Sequence, residues 1–330
     1  MKSLKKPLII LTGPTAVGKT KLSIKLAKAV NGEIISADSM QVYHYMDIGS
    51  AKILPEEMEG VPHHLVDCLD PDEEFNVVRF QQMAKEAMED IYARNRIPIL
   101  VGGTGFYIQA VTGDIDFTEC GEDNSYRKEL EQMAKEQGAE VLHNMLAKVD
   151  PESAIAIHAN NTKRVIRALE YYQQTGEPIS QHNKQQREKE SPYNLAYFVL
   201  NDERSHLYAR IDARIDEMLK EGLVDEVKRL QQMGYHKGMV SMQGLGYKEI
   251  LSYLDGTWSL EEAVYVLKRD TRHFAKRQIT WFKREKNVEW FYKPDYDYDE
   301  NKILDGMLAS LKCKSIIPQN ENREENENEY

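Results

Sequence analysis

Residues 8–22 read LIILTGPTAVGKTKL. An apolar run, a glycine-bounded loop and a lysine-spaced amphipathic segment follow one another. Gly13, Pro14, Thr15, Ala16, Val17, Gly18, Lys19 and Thr20 match G-x-x-x-x-G-K-[ST] in full. This loop constrains the fold because its mechanism needs a strand before it and a helix after it. Its backbone N–H groups wrap a chain of phosphates, helped by the positive end of the helix. Lys19 supplies a point charge, and the Thr20 hydroxyl can hold Mg²⁺ or bond a phosphate oxygen. The motif leaves open which phosphate compound is held.

The rest of the chain extends that alternation. PLIILT (7–12), EIISAD (33–38), IPILV (97–101) and NLAYFVLN (194–201) read as buried strands. KTKLSIKLAKAV (19–30), stopped by Gly32, and FQQMAKEAMEDIYARN (80–95) read as helices between them. The order implies an α/β fold, a doubly wound parallel sheet of the P-loop type. Residues 126–190 carry no strand pattern, and their helical periodicities predict an all-helical insertion over 114–192. The expected division is therefore core 1–113, insertion 114–192, core 193–313 with basic C-terminal helices, and an acidic tail of low complexity, 314–330.

With 330 residues, the chain is long enough for one large α/β domain and a smaller one. No apolar run is long enough to span a membrane. Cys68, Cys120 and Cys313 are far apart, which excludes a C-x-x-C zinc site and suits a reducing cytoplasm. The net charge of −11 argues against a polyanionic partner, but the charge is unevenly placed. Residues 319–330 hold five Glu and one Arg, whereas 268–286 hold eight Lys or Arg against two acids. A basic face can bind nucleic acid on an acidic protein.

Hydrolytic P-loop proteins place a Mg²⁺-holding acid after a neighbouring apolar strand. Here IPILV runs into Gly102-Gly103-Thr104-Gly105, which suits close backbone approach to a ligand. The acid instead follows the second strand, as Asp38 of SADSMQVY. At the C-terminal edge of the sheet such a carboxylate could hold a metal, accept a proton or cap a turn. Arg210 and Arg214 lie one helical turn apart among Leu207, Ile211, Ile215, Met218 and Leu219. The spacing by itself favours a solvated face shared with Asp212 and Asp216.

The ordered series GPTAVGKT, SADSMQVY, MDIGSAK, PHHLVD, VGGTGFY, NTKRVIRALE, ARIDEMLKEGLVDEV, GLGYKE and AKRQITWF spans residues 13–282. In it the chain resembles the tRNA dimethylallyltransferase family in its bacterial form. Ser50 and Ile53 depart from that family's DIGTAKP pattern, and the zinc finger of many eukaryotic members is absent. The resemblance implies that the phosphate compound is dimethylallyl diphosphate, with diphosphate as leaving group. The acceptor it implies is N6 of adenosine 37 in tRNAs reading codons that begin with U.

By the same match Asp38 is the proton acceptor, Thr20 and Arg214 contact the diphosphate near the breaking bond, and Lys19 with Mg²⁺ neutralises the other oxygens. Arg210 is expected to be structural. Expected tRNA contacts are Asp38, Ser39, Met40 and Gln41, then Thr104 and Arg127, and in the insertion Lys163, Arg164, Val165, Ile166 and Arg167. Further contacts are expected from Gln243, Gly244, Leu245, Gly246, Tyr247 and Lys248, and from Lys276, Arg277 and Gln278. No membrane and no obligate protein partner are expected, and the chain is read as a cytoplasmic monomer. Two other readings share parts of the pattern: an adenylate isopentenyltransferase acting on a free nucleotide, and a P-loop small-molecule kinase.

Overall fold

The computed structural model describes residues 5–117 and 125–319. Its first part runs β1 (Pro7–Thr12), α1 (Lys19–Val30), β2 (Gly32–Ala37), β3 (His63–His64), α2 (Val77–Ala93), β4 (Ile97–Gly102) and α3 (Gly105–Thr112). Five helices follow: α4 (Ser125–Gln137), α5 (Ala139–Val149), α6 (Pro151–Ala156), α7 (Thr162–Thr175) and α8 (Ile179–Glu188). The chain returns with β5 (Asn194–Asn201), α9 (Arg204–Glu221), α10 (Leu223–Gln232), α11 (Tyr247–Leu254), α12 (Leu260–Phe282), β6 (Glu289–Tyr292) and α13 (Glu300–Cys313).

All six strands are parallel, in the order β3-β2-β4-β1-β5-β6. Central β1 pairs with β4 on one side and β5 on the other, and its Leu8–Leu11 stretch is fully buried. That burial on both faces is why the run is continuously apolar rather than alternating. The two edge strands, β3 and β6, are short and were not expected from the sequence. Helix α1 ends on Asn31 in the left-handed conformation, φ 51°. The expected stop at Gly32 is instead the first residue of β2, where a Cβ would stand 2.8 Å from the Ile97 carbonyl oxygen.

The chain forms two compact units, one made of residues up to Thr112 together with those from Pro192 onward, the other Gly113–Ser191. The second has its own apolar cluster, built from Leu130, Leu142, Leu146, Val165, Ile166 and Leu169. Leucine and valine at helical spacing on α4, α5 and α7 supply it, as the periodicity required. Except for Gln319, the acidic stretch 319–330 lies outside the described residues, as does Cys120. Among the described residues no helix is long and apolar enough to cross a membrane.

Candidate active site at the phosphate loop

The loop between β1 and α1 has the backbone its glycines foretold. Gly13 has φ 148°, and a Cβ there would meet the Leu200 carbonyl oxygen at 2.2 Å, so no side chain fits. Ala16 takes φ 62°, and Gly18, φ 100°, opens α1. Lys19 folds back over the loop, its Nζ donating to Gly13 O at 3.0 Å and Pro14 O at 2.9 Å. Burial pushes the Lys19 ammonium down to about 8, Asp38 opposes that shift, and Arg214 adds to it. These three side chains therefore share one electrostatic neighbourhood. Thr20 is exposed on the first turn of α1.

Helix α9 brings the arginines. Its acids do not pair with them: Asp212 takes Arg272 Nη1 at 2.6 Å and Asp216 takes Lys268 Nζ at 2.6 Å, both from α12. The solvated face suggested by spacing alone is thus replaced by two inter-helix ion pairs. Arg214 is half-buried, and burial lowers its pKa while Asp38 works against the shift. Arg210, expected to be structural, has its Nη2 3.6 Å from where a Gly18 Cβ would stand, beside the phosphate loop.

Asp38 follows the last residue of β2. The Met40 amide donates to its Oδ1 at 2.8 Å, a turn that fixes the carboxylate beside the loop. Gln41 is held by its own donation to Ala51 O at 3.0 Å. The glycine run from the end of β4, whose composition suggested close approach to a ligand, is packed closely against protein. A Cβ on Gly102 would meet Ala37 O at 2.3 Å, one on Gly103 would meet Gln278 Nε2 at 2.1 Å, and one on Gly105 would meet the Trp281 ring at 2.2 Å. Those glycines admit protein groups.

The expected RNA contacts divide by burial. On α7, Lys163 and Arg164 are exposed and Arg167 is half-buried, whereas Val165 and Ile166 lie in the core of the insertion. Arg127 makes a two-pronged ion pair with buried Glu170, at 2.8 and 2.9 Å. Gln243 is exposed, and Gly244 approaches Met40. Leu245 and Lys248 are half-buried and Gly246 is buried at φ 97°. Tyr247 is a core residue whose hydroxyl donates to Glu226 at 2.9 Å. Ser39 and Thr104 are half-buried near the Asp38 turn, with the Thr104 amide donating to Ala37 O at 3.3 Å.

Gln278, expected on the RNA surface, is only 6% exposed. Its Oε1 accepts from the Thr15 amide at 2.8 Å and its Nε2 donates to Gly103 O at 3.0 Å. Lys276 and Arg277 remain exposed on α12 and line a cleft of about 490 Å³ with His273, Thr280, Trp281 and Arg284. The basic face is smaller than the sequence implied, since Arg269 pairs with Asp270, Arg272 with Asp212 and Lys268 with Asp216.

Sequence reasoning missed two residues. Buried Glu226 accepts from the amides of Asp47, Ile48 and Gly49 at 3.0, 2.8 and 3.1 Å, pinning the MDIGSAK loop. Lys293, after β6, lies against the phosphate loop. Lys293 lies outside every quoted motif, and Glu226 falls within ARIDEMLKEGLVDEV with nothing local to set it apart from the other acids there. Among the described residues no group of three His, Cys, Asp or Glu is placed to hold a metal. The exposed Thr20 hydroxyl could add one oxygen to a Mg²⁺ held otherwise by phosphate oxygens and water, the usual mode for that ion.

The family described as IPP transferase matches residues 41–285, and the isopentenyl transferase family matches residues 6–68. A tRNA dimethylallyltransferase of Lachnoclostridium phytofermentans is 65% identical over 94% of this chain and 99% of its own length. One from Carboxydothermus hydrogenoformans is 54% identical over 86% of this chain and 91% of its own. The crystal structure of a Bacillus halodurans tRNA isopentenylpyrophosphate transferase superposes with TM-score 0.71 at 48% identity, covering 94% of this chain and 99% of that one. A eukaryotic dimethylallyltransferase acting on tRNA superposes with TM-score 0.82 at 32% identity, covering 96% and 82%.

Proposed function

This chain belongs to the IPP transferase family, and from that premise we infer that it transfers the dimethylallyl group of dimethylallyl diphosphate to N6 of adenosine 37 in tRNAs reading codons that begin with U. The observation that carries the chemistry is the joint placement of Lys19, Arg214 and Asp38 at the phosphate loop. Cations for a diphosphate and a carboxylate for a proton interact electrostatically there.

Each residue has a part in the displacement. The C–O bond of the allylic diphosphate breaks, the N6–C bond forms, and diphosphate leaves. Asp38 accepts the proton that N6 releases. An adenine amine is a weak nucleophile, so a positioned base contributes rate. Negative charge grows on the leaving oxygen, where Arg214 and the Thr20 hydroxyl act as fixed donors. Lys19 exchanges its bonds to Gly13 and Pro14 carbonyls for phosphate oxygens. Mg²⁺, when bound, neutralises further diphosphate charge.

The target base must leave the anticodon-loop stack to reach Asp38. Lys163, Arg164 and Arg167 in the insertion, and Lys276 and Arg277 on α12, are the proposed phosphate contacts, with Met40, Gln41, Gln243 and Gly244 near the base. We place the enzyme in the cytoplasm, acting as a monomer. The test is nucleoside analysis of tRNA after incubation with protein and dimethylallyl diphosphate, beside a parallel assay with AMP. Prenylated adenosine in tRNA alone supports the reading. Product from AMP alone would overturn it in favour of the free-nucleotide transferase. Thr20→Ala and Arg214→Ala should lower the chemical step, while a rise in KM alone would reduce them to binding roles.

A further inference from the structure

Lys293 is 6% exposed, and its ammonium lies 3.4 Å from the Val17 carbonyl oxygen and 5.9 Å from the centre of the Tyr298 ring. A Cβ built on Gly18 would stand 3.5 Å from Lys293 Nζ and 3.6 Å from Arg210 Nη2. Two cations thus converge on one glycine of the phosphate loop.

Burying an ammonium is costly unless an acid partners it. Lys52 shows the usual arrangement in this chain: its buried Nζ meets Asp47 at 2.6 Å and Asp67 at 2.7 Å. Lys293 has no such partner, and neither does Arg210; among the described residues neither forms a salt bridge. The acids nearest to Lys293 are committed elsewhere. Asp202 accepts from His206 Nδ1 at 2.9 Å and from the Glu203 amide at 2.7 Å, and Glu300 pairs with Lys25 at 2.9 Å. Two like charges held together without acids form a site for an anion.

The pair at Gly18 adjoins the residues around the proposed base: Arg210 interacts electrostatically with Arg214, and Arg214 and Lys19 interact with Asp38. Lys293 meets the loop one residue before Lys19, at the Val17 carbonyl and Gly18.

We propose that Lys293 and Arg210 bind the terminal phosphate of the prenyl diphosphate, the one farther from the reacting carbon, and hold inorganic diphosphate after transfer. This rests on the reading of the site as a prenyl-diphosphate transferase. Lys19, Arg214 and Thr20 serve the phosphate at the breaking bond, while Lys293 and Arg210 serve the other. The Val17 carbonyl fixes the Lys293 ammonium when no phosphate is present.

The experiment is calorimetric binding of inorganic diphosphate to the full chain, for wild type, Lys293→Met, Lys293→Arg and Arg210→Met, with steady-state and single-turnover prenyl transfer. Loss of one charge-assisted contact should weaken diphosphate binding by ~10–100-fold. The KM for dimethylallyl diphosphate should rise in parallel, the single-turnover rate should fall by less, and the KM for tRNA should hold. Lys293→Arg should recover most of the affinity. Unchanged diphosphate affinity in Lys293→Met and Arg210→Met would overturn the proposal and leave Lys293 a clamp on Val17. If Lys293→Met does not fold, Arg210→Met carries the same test. Lys293-dependent diphosphate binding by a wild-type protein that prenylates no tRNA would overturn the proposed function and support the subsite.

Discussion

Gln278 Oε1 accepts a hydrogen bond from the Thr15 backbone amide at 2.8 Å, across 263 residues of chain. Through its Nε2 the same side chain holds Gly103 O at 3.0 Å. One amide on α12, the helix that also exposes Lys276 and Arg277, thereby braces the phosphate loop and the turn after β4. Gln278→Leu should leave the buried Gly103 carbonyl and the half-buried Thr15 amide unpaired and lower stability by about 1–3 kcal/mol. The KM for prenyl diphosphate should rise with it. Urea unfolding and steady-state kinetics check both, and an unchanged KM would reduce the brace to a packing role.

Asp38→Ala should still bind dimethylallyl diphosphate and tRNA but turn over ~10²–10⁴-fold more slowly, the usual contribution of a positioned base. Prenyl transfer near the wild-type rate would remove Asp38 from the chemistry. Single-turnover rates with both substrates saturating make the measurement.

Lys19 is held down to about 8, by burial first, with Asp38 opposing and Arg214 reinforcing. The charged ammonium is the form that binds an anion. The kcat/KM for prenyl diphosphate should therefore fall as pH rises through about 8, approaching tenfold per unit. Lys19→Arg should carry that fall to higher pH, because a guanidinium does not titrate there. A pH–rate profile of both forms decides.

Affinity for tRNA should fall steeply with salt despite the net charge of −11, because contacted phosphates release counterions. Changing Lys163, Arg164 and Arg167 together to Ala should make the slope shallower by roughly 2. Inorganic diphosphate binding should be untouched. An unchanged slope would take α7 out of the RNA interface.

Glu33 is 1% exposed at the opposite end of β2 from Asp38. Burial alone would raise its carboxyl, yet hydrogen bonds from Arg94 and His64 hold it at about 2, against an ordinary 4.5. A depressed carboxylate stabilises the fold fully above its unfolded pKa and loses that contribution as pH falls. The difference in Tm between wild type and Glu33→Gln should therefore shrink between about pH 4.5 and pH 2. A constant difference across that window would show that Glu33 acts through packing alone.

Strands β1, β4 and β5 were legible because burial on both faces demands unbroken apolar runs. Strand β3 was not, because its two residues, His63 and His64, make a ladder too short to leave a pattern. Asp38 and the phosphate loop could be read from local sequence, since the glycines and the turn are local devices. Gln278 could not be placed: it sits among arginines on a polar helix, and only the missing Cβ of Gly103 makes room to bury it. Arg210 and Arg214 look alike by helical spacing. What orients both toward the phosphate loop is the capture of Asp212 and Asp216 by α12, a pairing between residues at least 52 apart in sequence that no periodicity carries. Lys293 is a single cation in a short connection, and its meaning depends wholly on Gly18.

Strand β1 is made before both of the strands that flank it in the finished sheet. Its partner β5 begins at Asn194, which pairs with Pro7. At 5–20 residues per second, that partner arrives about 10–40 s after β1. Once β4 is made and paired, the apolar run Leu8–Leu11 still has one open edge, and the whole insertion is made while it waits. The slow, long-range closure of a parallel sheet is the stage at which such chains aggregate. For the nascent protein, the insertion between β4 and β5 is therefore a delay placed in the middle of its own core.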